Sequence, residues 1–554
     1  MLRTSSTFTP RIAHAIVLTT LLAVACSPAG PPRTTPTAAP KAAAKPVEQK
    51  PPSATPAAQA QAQPAAKAET RPATPEPSRG GTLRVGLNQE HKTLDPHLSV
   101  QFPERYALYA IFNTLVAMDE NGQIVPELAE SWELPDDRTY VLRLRKGVKF
   151  HDGADFNAAA VKWNFERILN PDTKSPQRSQ LEEIAAVEAV DDSTVRVQLK
   201  RPFAPLLSNL AERAGFIVSP SAVQKYGADF GRNPVGTGPF KFVEWITEDH
   251  LTIRRFDGYW EAGKPYLDEI IYRPVPDNTV RATMGRTGEL HIIDRIQPQD
   301  VATLKAEPGL KVLEFESGGW YGVQWWVDKP PFDNPKLRQA IAYAIDRDEL
   351  RRVYWLGTGR VAQAPIGNGW AYYKDLQGYA TDVDKGKQLL AEAGYPGGFR
   401  ATLVVNSLPD QIREGELLKS QLAKIGVTVD LETVNPNDSY AKVVARETNW
   451  TLTNWTLRPD PHGLLFILFH SKGFANTTGY KNEQVDALLE QAMSSYDQKQ
   501  RQQLYFQAQQ LIVQDAPYIF FWHPSAWYAM SQKVQNFKYI PDDVMRVRDL
   551  WLSP

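Results

Sequence analysis

Aromatic side chains are the most concentrated source of binding chemistry in this sequence. They gather in two short runs, at 320–326 and 520–523. An aromatic ring offers a flat face on which a sugar, another ring or a guanidinium stacks, worth about 0.5 to 1.5 kcal/mol per contact. Neighbouring residues of a strand face opposite sides, so Trp325 and Trp326 cannot both line one cleft. We expect one of each pair to be core and the other exposed, and we assign Trp326 and Phe521 to ligand binding.

The common catalytic motifs are absent from the sequence. It has no His-Glu-x-x-His zinc motif, no Gly-x-Ser-x-Gly turn and no Gly-x-x-x-x-Gly-Lys-Ser/Thr phosphate loop. The nine histidines are scattered, and the spacing of eight between His462 and His470 does not place two imidazoles on one metal ion. We therefore predict a binding function with no catalytic residue, cofactor or metal site.

Composition narrows the class further. The chain has 554 residues, and 62 Lys and Arg against 63 Asp and Glu give a net charge of −1, so it lacks the basic surface of a nucleic-acid-binding protein. With 42% hydrophobic residues the chain can form a large core, and its length suggests two or more core-forming units. A single cysteine excludes a disulfide framework within this chain.

The first 25 residues have the pattern of a secretory signal peptide. Arg3 and Arg11 precede an apolar stretch at 12–24 that is too short to span a bilayer. The stretch ends at Cys26 and resembles the lipobox of bacterial lipoproteins, with Ala23 where Leu is usual. The resemblance implies cleavage before Cys26 and lipidation of its thiol. We expect an extracytoplasmic protein that is lipid-anchored to the cell membrane.

An Ala- and Pro-rich tether follows, over residues 26–78. Residues 27–78 contain 13 Pro and 15 Ala and no aromatic residue, Leu or Ile. Such a composition cannot bury enough apolar surface to offset the entropy of ordering. We predict a disordered tether between the anchor and a folded body that begins at residue 80.

The folded body reads as alternating strands and helices. Apolar and polar residues alternate at 81–87, 140–146 and 194–200, as in half-buried strands. Apolar residues recur every three or four positions in stretches that we predict to be helices, at 157–169, 335–345, 347–355, 383–393 and 411–425. Asn157 and Asp346 are suited to cap the helices that follow them. This alternation predicts α/β lobes.

Four ordered segments carry a family resemblance. The segments at 140–169, 233–240, 337–346 and 479–489 resemble those of family 5 extracytoplasmic solute-binding proteins, the oligopeptide, dipeptide and nickel receptors of ABC importers. The resemblance implies a two-lobe, periplasmic-binding-protein-like fold of class II type with a hinged ligand cleft. It implies a first lobe at 80–318 plus 516–554, with an extra subdomain near 117–232, and a second lobe at 319–515.

Several residues of these segments are expected to be structural. Gly236 and Gly238 fit a tight turn in which only glycine tolerates positive φ. His151 fits a turn between a strand and a helix, and we interpret it as a hydrogen-bonding turn residue and not as a ligand or metal contact.

The segment at 449–461 is the most informative for the ligand. In the peptide-binding members of the family, an aspartate three residues after its second Trp pairs with the α-ammonium of the peptide. Counted from Trp455, that position is Arg458, and a guanidinium repels an ammonium but binds a carboxylate or phosphate with two hydrogen bonds. Asp460 is the alternative equivalent of the aspartate. Arg458 would then favour anionic or neutral ligands, unless it pairs with Asp460 or another acid of the cleft.

The remaining ligand-binding predictions follow from position in the family. Glu104 and Tyr106 come after the first strand, where family members contact their ligands. Asn476 lies between Arg458 and the segment at 479–489, and Trp455 adds an aromatic face.

We therefore expect the substrate-binding component of an ABC importer. It would capture a small polar solute, of the peptide-like, opine-like, oligosaccharide or metal-chelate class, by lobe closure and deliver it to the permease subunits. It would act as a monomer and bind no nucleic acid. The alternatives are a surface-anchored hydrolase of sugars or peptides and a sensor or chaperone that uses the same fold without transport.

Overall fold

A computed structural model describes residues 76–554 of the chain except 374, 436, 437, 439–441, 444, 448, 449 and 457. The predicted signal peptide, Cys26 and nearly all of the predicted tether lie outside these residues. Within the described part the chain is mixed α/β, and none of its helices is long and apolar enough to cross a membrane.

A seven-stranded sheet forms the first large layer. The amino-terminal strand is central and pairs in parallel with Glu269–Pro274 and with Ile292–Asp294, while the other pairings are antiparallel. In spatial order its strands are Leu310–Glu316, Ser525–Ser531, Ile292–Asp294, Thr82–Leu87, Glu269–Pro274, His250–Arg255 and Phe240–Ile246.

A six-stranded sheet forms the second large layer. Helices pack against it through a core that includes Trp325, Phe332 and Trp450. In spatial order its strands are Arg360–Val361, Tyr518–His523, Trp320–Trp325, Trp450–Trp455, Phe399–Asn406 and Val427–Val434.

Two short connections join these sheets. The chain passes from Leu310–Glu316 in the first sheet to Trp320–Trp325 in the second, and the N–H of Ser317 donates to the carbonyl oxygen of Pro524 at 3.0 Å. On its return the chain changes sheet at Pro524. The sequence placed the return at 516, but Tyr518–His523 pairs with Trp320–Trp325 and so belongs to the second sheet.

Smaller sheets complete the strands. A four-stranded antiparallel sheet has the order Ala129–Asp136, Thr139–Leu144, Thr194–Leu199 and Ile184–Asp191. Its buried face packs on the helix Ala158–Leu169 in a core of its own. Two hairpin-like pairs remain, Val116–Met118 with Ile124–Pro126 and Val534–Gln535 with Trp551–Leu552.

The helices surround these sheets. Their bounds are Glu104–Ile111, Ala158–Leu169, Arg178–Leu181, Leu206–Leu210, Pro220–Tyr226, Asn278–Arg286, Pro298–Lys305, Pro335–Ala344, Arg347–Tyr354, Val383–Glu392, Pro409–Ala423, His462–Phe469, Glu483–Ser494 and Gln498–Asp515. Short 3₁₀ turns occupy Pro171–Thr173, Arg213–Gly215 and Gly227–Arg232.

The strands and helices predicted from periodicity are confirmed to within about two residues, and so are the two predicted caps. The side chain of Asn157 accepts from the N–H of Ala160 at 3.0 Å, and that of Asp346 accepts from the N–H of Glu349 at 2.8 Å. Both helices thus begin where a side-chain oxygen satisfies a free backbone donor.

The glycine motif owes its residues to close packing and not to positive φ. A Cβ on Gly236 would lie 2.3 Å from the carbonyl oxygen of Ile111, and one on Gly238 would lie 2.5 Å from the carbonyl carbon of Ile111. His151 completes the contact, because its Nε2 lies 2.9 Å from the carbonyl oxygen of Gly238. The predicted turn role of His151 is thus confirmed. The prediction that Gly236 and Gly238 are needed for positive φ is wrong, because their close contacts with Ile111 exclude a side chain.

Candidate functional site

A cavity of about 400 Å³ lies against the segment that follows strand Trp450–Trp455. One wall comes from the loop at 99–100 and from residues 176–182 and 203–213. The facing wall comes from residues 458–474, which include the helix His462–Phe469. One wall of the cavity is therefore formed by loops and helices near the four-stranded sheet, and the other by the segment and helix that follow a strand of the six-stranded sheet, as expected for a ligand cleft.

A buried cluster of charges forms the base of the first wall. The Nε of Arg105 lies 2.7 Å from Glu212, and the guanidinium of Arg213 lies 3.3 Å from the same carboxylate. Arg105 also reaches Asp542 at 3.1 Å, and Arg546 reaches Asp542 at 2.6 Å. Each of these carboxylates therefore serves more than one arginine.

The pKa of Glu212 reflects this crowding of cations. Burial alone would raise the pKa, but the guanidiniums of Arg105, Arg213 and Arg458 outweigh burial and lower it to about 2. Glu212 therefore stays ionised at neutral pH. With Glu104 counted as well, four guanidiniums face three carboxylates, so the cluster carries an excess positive charge.

Arg458 differs from the other arginines of the cluster. Its Nη1 lies 3.8 Å from Glu212, beyond hydrogen-bond distance, and its guanidinium makes no hydrogen bond to any of the described residues. Its side chain is 37% exposed, whereas those of Arg105 and Arg213 are 3% and 6% exposed. Its enclosed position lowers the pKa of Arg458 to about 10, so it remains charged at neutral pH. Arg458 thus presents unused donors to the cavity.

The backbone beside Arg458 leaves room for this side chain. A Cβ on Gly463 would lie 2.8 Å from the Cβ of Arg458, closer than real side chains approach. Asp460 holds the start of the same helix, because it accepts from the N–H of His462 at 2.9 Å and pairs with Arg501 at 2.8 Å. Asp460 is 3% exposed. Its predicted contact with the ligand is therefore replaced by a structural role.

An apolar surface borders the charged base. The ring of His462 packs 5.5 Å from Phe203 and 4.6 Å from Phe466, and Phe474 is 71% exposed beside them. Burial lowers the pKa of His462 to about 4, so the imidazole is neutral at neutral pH. Its Nδ1 has no hydrogen-bond partner among the described residues. The cavity thus offers one cationic end and one apolar end.

Glu104 shapes the loop that forms the edge of the cavity. Its fully buried carboxylate accepts from the hydroxyl of Ser99 at 2.5 Å. It also accepts from four backbone N–H groups at 3.0 to 3.2 Å, those of Lys92, Thr93, Val100 and Gln101. The predicted ligand contact is corrected here too, because each oxygen already accepts at least two hydrogen bonds.

Three predicted aromatic contacts are fully buried. Tyr106, Trp326 and Phe521 are each 0% exposed, and Phe521 belongs to the core of the six-stranded sheet. The expectation that one of Trp325 and Trp326 is exposed is therefore wrong. Both faces of a central strand are covered by other elements, so alternation along such a strand does not separate core from surface.

Trp455 and Asn476 are half-buried. The side chain of Asn476 donates to the carbonyl oxygens of His470 and Tyr480 at 3.1 and 2.7 Å and accepts from the hydroxyl of Thr478 at 2.9 Å, so it organises its own loop. The indole N–H of Trp455 has no acceptor among the described residues. Of the eight residues predicted from the sequence, Arg458 is the one that lines the cavity with an unused charged group.

Sequence reasoning missed the pair Glu212 and Arg213. The signal for it is present, since an acid and a base stand together inside the otherwise uncharged and mostly apolar stretch at 206–218. Charged residues in such a stretch are buried only when they are paired, which marks them as a structural or functional cluster. Among the described residues no group of three or more His, Cys, Asp or Glu is placed to hold a metal ion.

Comparisons with known proteins agree with this arrangement. Residues 123–476 match the model of "Bacterial extracellular solute-binding proteins, family 5 Middle". The chain is 34% identical to the glutathione-binding protein GsiB of Pectobacterium atrosepticum over 481 residues, which is 85% of this chain and 94% of that protein. It is also 34% identical to GsiB of Salmonella typhimurium over 478 residues, 83% of this chain and 92% of the relative.

Solved structures show the same architecture. The periplasmic binding protein DppA of Helicobacter pylori, in complex with the peptide STSA, superposes with a TM-score of 0.78 at 29% identity, covering 86% of this chain and 99% of DppA. AgaA of A. tumefaciens R10, in complex with agropinic acid, gives 0.76 at 30% identity over 86% of this chain and 99% of AgaA.

The fold and its cavity thus define a two-lobe binding protein of the periplasmic type. The chain belongs to family 5 of the bacterial extracellular solute-binding proteins. Each relative described above is named as a binding protein and none as an enzyme, so the hydrolase alternative has no support.

Proposed function

We propose that the protein is the substrate-binding component of an ABC importer and that its solute carries a carboxylate held by Arg458. Family membership supports the transport role. The unused guanidinium of Arg458, beside a cluster with excess positive charge, supports the choice of ligand. A carboxylate placed there accepts two parallel hydrogen bonds from one planar donor.

The ligand class follows from the two ends of the cavity. The cationic end takes the carboxylate, and the apolar surface at Phe203, Phe466 and Phe474 takes an uncharged portion of the solute. Peptide-like and opine-like acids have this composition, and the relatives are named for glutathione, a peptide and agropinic acid. Neutral oligosaccharides leave Arg458 without a partner, which makes them the less suitable class.

Delivery requires the protein to remain near its permease. The segment ending at Cys26 provides a lipid anchor, and the Ala- and Pro-rich residues after it provide the tether. The proposed assembly is a monomeric receptor, lipid-anchored outside the cytoplasm, that closes on its solute and meets the permease subunits. Mass spectrometry of the membrane-extracted protein tests the anchor: a diacylated Cys26 supports it, and an unmodified amino terminus at another residue refutes it.

Calorimetric titration of the purified protein tests the ligand class. The panel contains reduced glutathione, short peptides with free and amidated carboxyl ends, agropinic acid and a neutral oligosaccharide. We expect at least one free acid to bind, to lose affinity when its carboxyl is amidated, and to be recovered unchanged by mass spectrometry. Binding of the amide as tightly as the acid contradicts the role of Arg458, and chemical conversion of a bound solute contradicts a receptor.

A further inference from the structure

The helix Glu483–Ser494 contacts the loop that follows the strand Thr194–Leu199 of the four-stranded sheet. In this loop the N–H of Ala204 donates to the carbonyl oxygen of Met493, near the end of the helix, at 2.9 Å. The side chain of Met493 is 1% exposed and lies in the core of the four-stranded sheet. The contact therefore combines a backbone hydrogen bond with a buried apolar side chain.

The earlier residues of the same helix pack on the other side of the cavity. Val485, Leu489 and Ala492 lie in a core with Trp320 and Phe520, which belong to two strands of the six-stranded sheet. The helix thus joins the four-stranded sheet to the six-stranded sheet by noncovalent contacts. This junction is distant in the sequence from the connections between the two large sheets at 317 and 524.

Tyr496 adds a second contact at the same junction. Its hydroxyl accepts from the N–H of Phe203 at 3.2 Å and donates to the carbonyl oxygen of Asp137 at 3.0 Å. Its ring centre lies 6.2 Å from that of Tyr140 on the four-stranded sheet. Tyr496 is 39% exposed, so it lies at the surface and can be substituted without opening the core. One hydroxyl thus connects two backbone groups of the facing unit.

This junction lies at one end of the cavity. Phe203 lines the cavity, and its ring centre lies 5.5 Å from that of His462 on the facing wall. The next residue, Ala204, lines a separate open groove of about 580 Å³ together with Tyr496. The two walls of the cavity therefore meet directly between the cavity and this groove.

Arg501 connects the junction to the wall that carries Arg458. Its Nε donates to the carbonyl oxygen of Ala492 at 2.8 Å, and its Nη2 pairs with Asp460 at 2.8 Å. Asp460 also accepts from the N–H of His462 at 2.9 Å, at the start of the helix that follows Arg458. Hydrogen bonds thus link the end of the helix Glu483–Ser494 to the segment that presents Arg458 to the cavity.

We infer that residues 203–204 and 493–496 form a latch, which holds the two walls of the cavity together by contacts of their own and not through the solute. The latch stabilises the closed arrangement, and the population of that arrangement scales the apparent affinity for every solute. Tyr496 is thus a positioning residue, whose hydroxyl acts on the cavity through the walls that it joins. The inference goes beyond the proposed function, because it does not depend on which solute binds.

Hydrogen exchange of the purified protein, measured by mass spectrometry with no solute added, tests the latch. Pro202 and Pro205 have no N–H, so the segment 202–205 reports only the amides of Phe203 and Ala204. Gas-phase fragmentation of the peptide separates these two amides. Small-angle X-ray scattering of the same samples measures the radius of gyration, which rises when the two walls separate.

Two substitutions of Tyr496 are compared with the wild type. Tyr496→Phe removes the hydroxyl, and Tyr496→Asp places a carboxylate in the groove that Asp136 and Asp137 also line, where like charges repel. The control is Tyr373→Phe, because Tyr373 is 36% exposed and stacks on Phe506 of the helix Gln498–Asp515, away from the latch. Thermal unfolding verifies that each variant is folded.

We expect the Ala204 amide to exchange about tenfold faster in Tyr496→Phe than in the wild type, although its own acceptor on Met493 is unchanged. In Tyr496→Asp it should exchange about a hundredfold faster, and the radius of gyration should rise. The control should match the wild type within about twofold.

Two results would refute the latch. The first is an exchange rate of the Ala204 amide in Tyr496→Asp within twofold of the wild-type rate. The second is faster exchange with an unchanged radius of gyration, because the contact would then open locally while the walls stay together. Neither result bears on the proposed ligand class, since no solute is present. The titration with acids and amides decides that class separately.

Discussion

The arginines on the two walls of the cavity differ in burial and in whether they are paired with a carboxylate. On the first wall Arg105 and Arg213 are buried and bonded to Glu212, with Arg105 also bonded to Asp542. On the second wall Arg458 is partly exposed and has no hydrogen bond among the described residues. The arginines of the first wall are thus already paired, whereas Arg458 has donors without hydrogen bonds. In the proposed binding mode the paired charges of the first wall need no rearrangement, and Arg458 supplies the donors for the carboxylate.

Buried acids show the same contrast between regions. Glu212 lies among guanidiniums, which lower its pKa to about 2. Glu414 lies on the helix Pro409–Ala423 behind the six-stranded sheet, and its Oε2 has no partner among the described residues. Burial raises the pKa of Glu414 to about 8. Neighbouring guanidiniums thus keep Glu212 ionised at neutral pH. Glu414 is buried without such partners and is mostly protonated at neutral pH.

The largest expected effect comes from Glu414. In the unfolded chain this carboxyl titrates near 4.5, but in the folded protein it titrates near 8. Stability is therefore fully present below about pH 4.5 and is lost as the pH rises through 8, because folding must take up a proton that the unfolded chain no longer holds. Over that interval the loss is roughly 4 to 5 kcal/mol.

Urea unfolding of wild type and Glu414→Gln at pH 5, 6.5 and 8 measures this loss. We expect the variant to be increasingly more stable than the wild type as the pH rises. Glu416→Gln, on an exposed position of the same helix, is the control and should follow the wild type. A difference between Glu414→Gln and wild type that is constant with pH contradicts a protonated Glu414.

Glu212→Gln tests the completeness of the first wall. The substitution leaves Arg105 and Arg213 buried beside a neutral amide, so we expect it to lower the free energy of unfolding by about 3 to 5 kcal/mol. Thermal and urea unfolding measure the change. The exposed pair of Arg196 and Glu188 is the control, since Glu188→Gln should cost under about 1 kcal/mol. Equal effects of the two substitutions would show that the buried cluster does not hold the wall together.

The helices and strands predicted from periodicity could be recognised in the sequence because each signal lies within a few neighbouring residues. The alternation at 194–200 and the caps at Asn157 and Asp346 each depend on residues a few positions apart, and each lies where the sequence predicts it. The sheet to which Tyr518–His523 belongs depends instead on pairing across about 200 residues. Periodicity along the chain does not show which strand Tyr518–His523 pairs with. The predicted position of the return between the sheets, at 516, is therefore wrong.

Among the predicted site residues, Arg458 lines the cavity with an unused charge, and its contact with the ligand stays a prediction. Its signal is a single position at which the family pattern has an acid and this chain has a base. The roles of Glu104, Asp460 and Asn476 depend on backbone groups that the fold brings to them, such as the N–H groups around Glu104. The sequence does not distinguish an acid that contacts a ligand from an acid that accepts hydrogen bonds from a loop. The folded structure distinguishes them.

Arg458→Gln tests the second wall directly. Removing the free guanidinium should cost about 2 to 4 kcal/mol of binding to the acid identified by titration, and unfolding should change little because no hydrogen bond is lost. Calorimetry gives the first quantity and urea unfolding the second. Arg400→Gln, at an exposed pair with Asp430, is the matched control and should alter neither. Unchanged affinity would mean that Arg458 only balances Glu212.

Gly463→Ala keeps the guanidinium of Arg458 but displaces it. The substitution therefore tests whether the position of this guanidinium matters for binding. The new Cβ would lie 2.8 Å from the Cβ and 3.0 Å from the Cγ of Arg458. Because the backbone fixes the Cβ, the backbone at 458 or 463 must shift, and the shift displaces the guanidinium. We expect calorimetry to show a loss of about tenfold in affinity, or about 1.4 kcal/mol. The free energy of unfolding should also fall by about 1 to 2 kcal/mol, because overpacking costs about 1 to 3 kcal/mol and alanine favours a helix over glycine by only up to about 1 kcal/mol. Titration below the unfolding transition keeps the loss of affinity separate from this loss of stability. Gly309→Ala, with no atom within 4 Å of the added Cβ, is the control and should bind as the wild type does. An affinity for Gly463→Ala within twofold of the wild type would mean that the exact position of the Arg458 guanidinium does not determine affinity. The two walls would then differ only in whether their arginines are paired with a carboxylate.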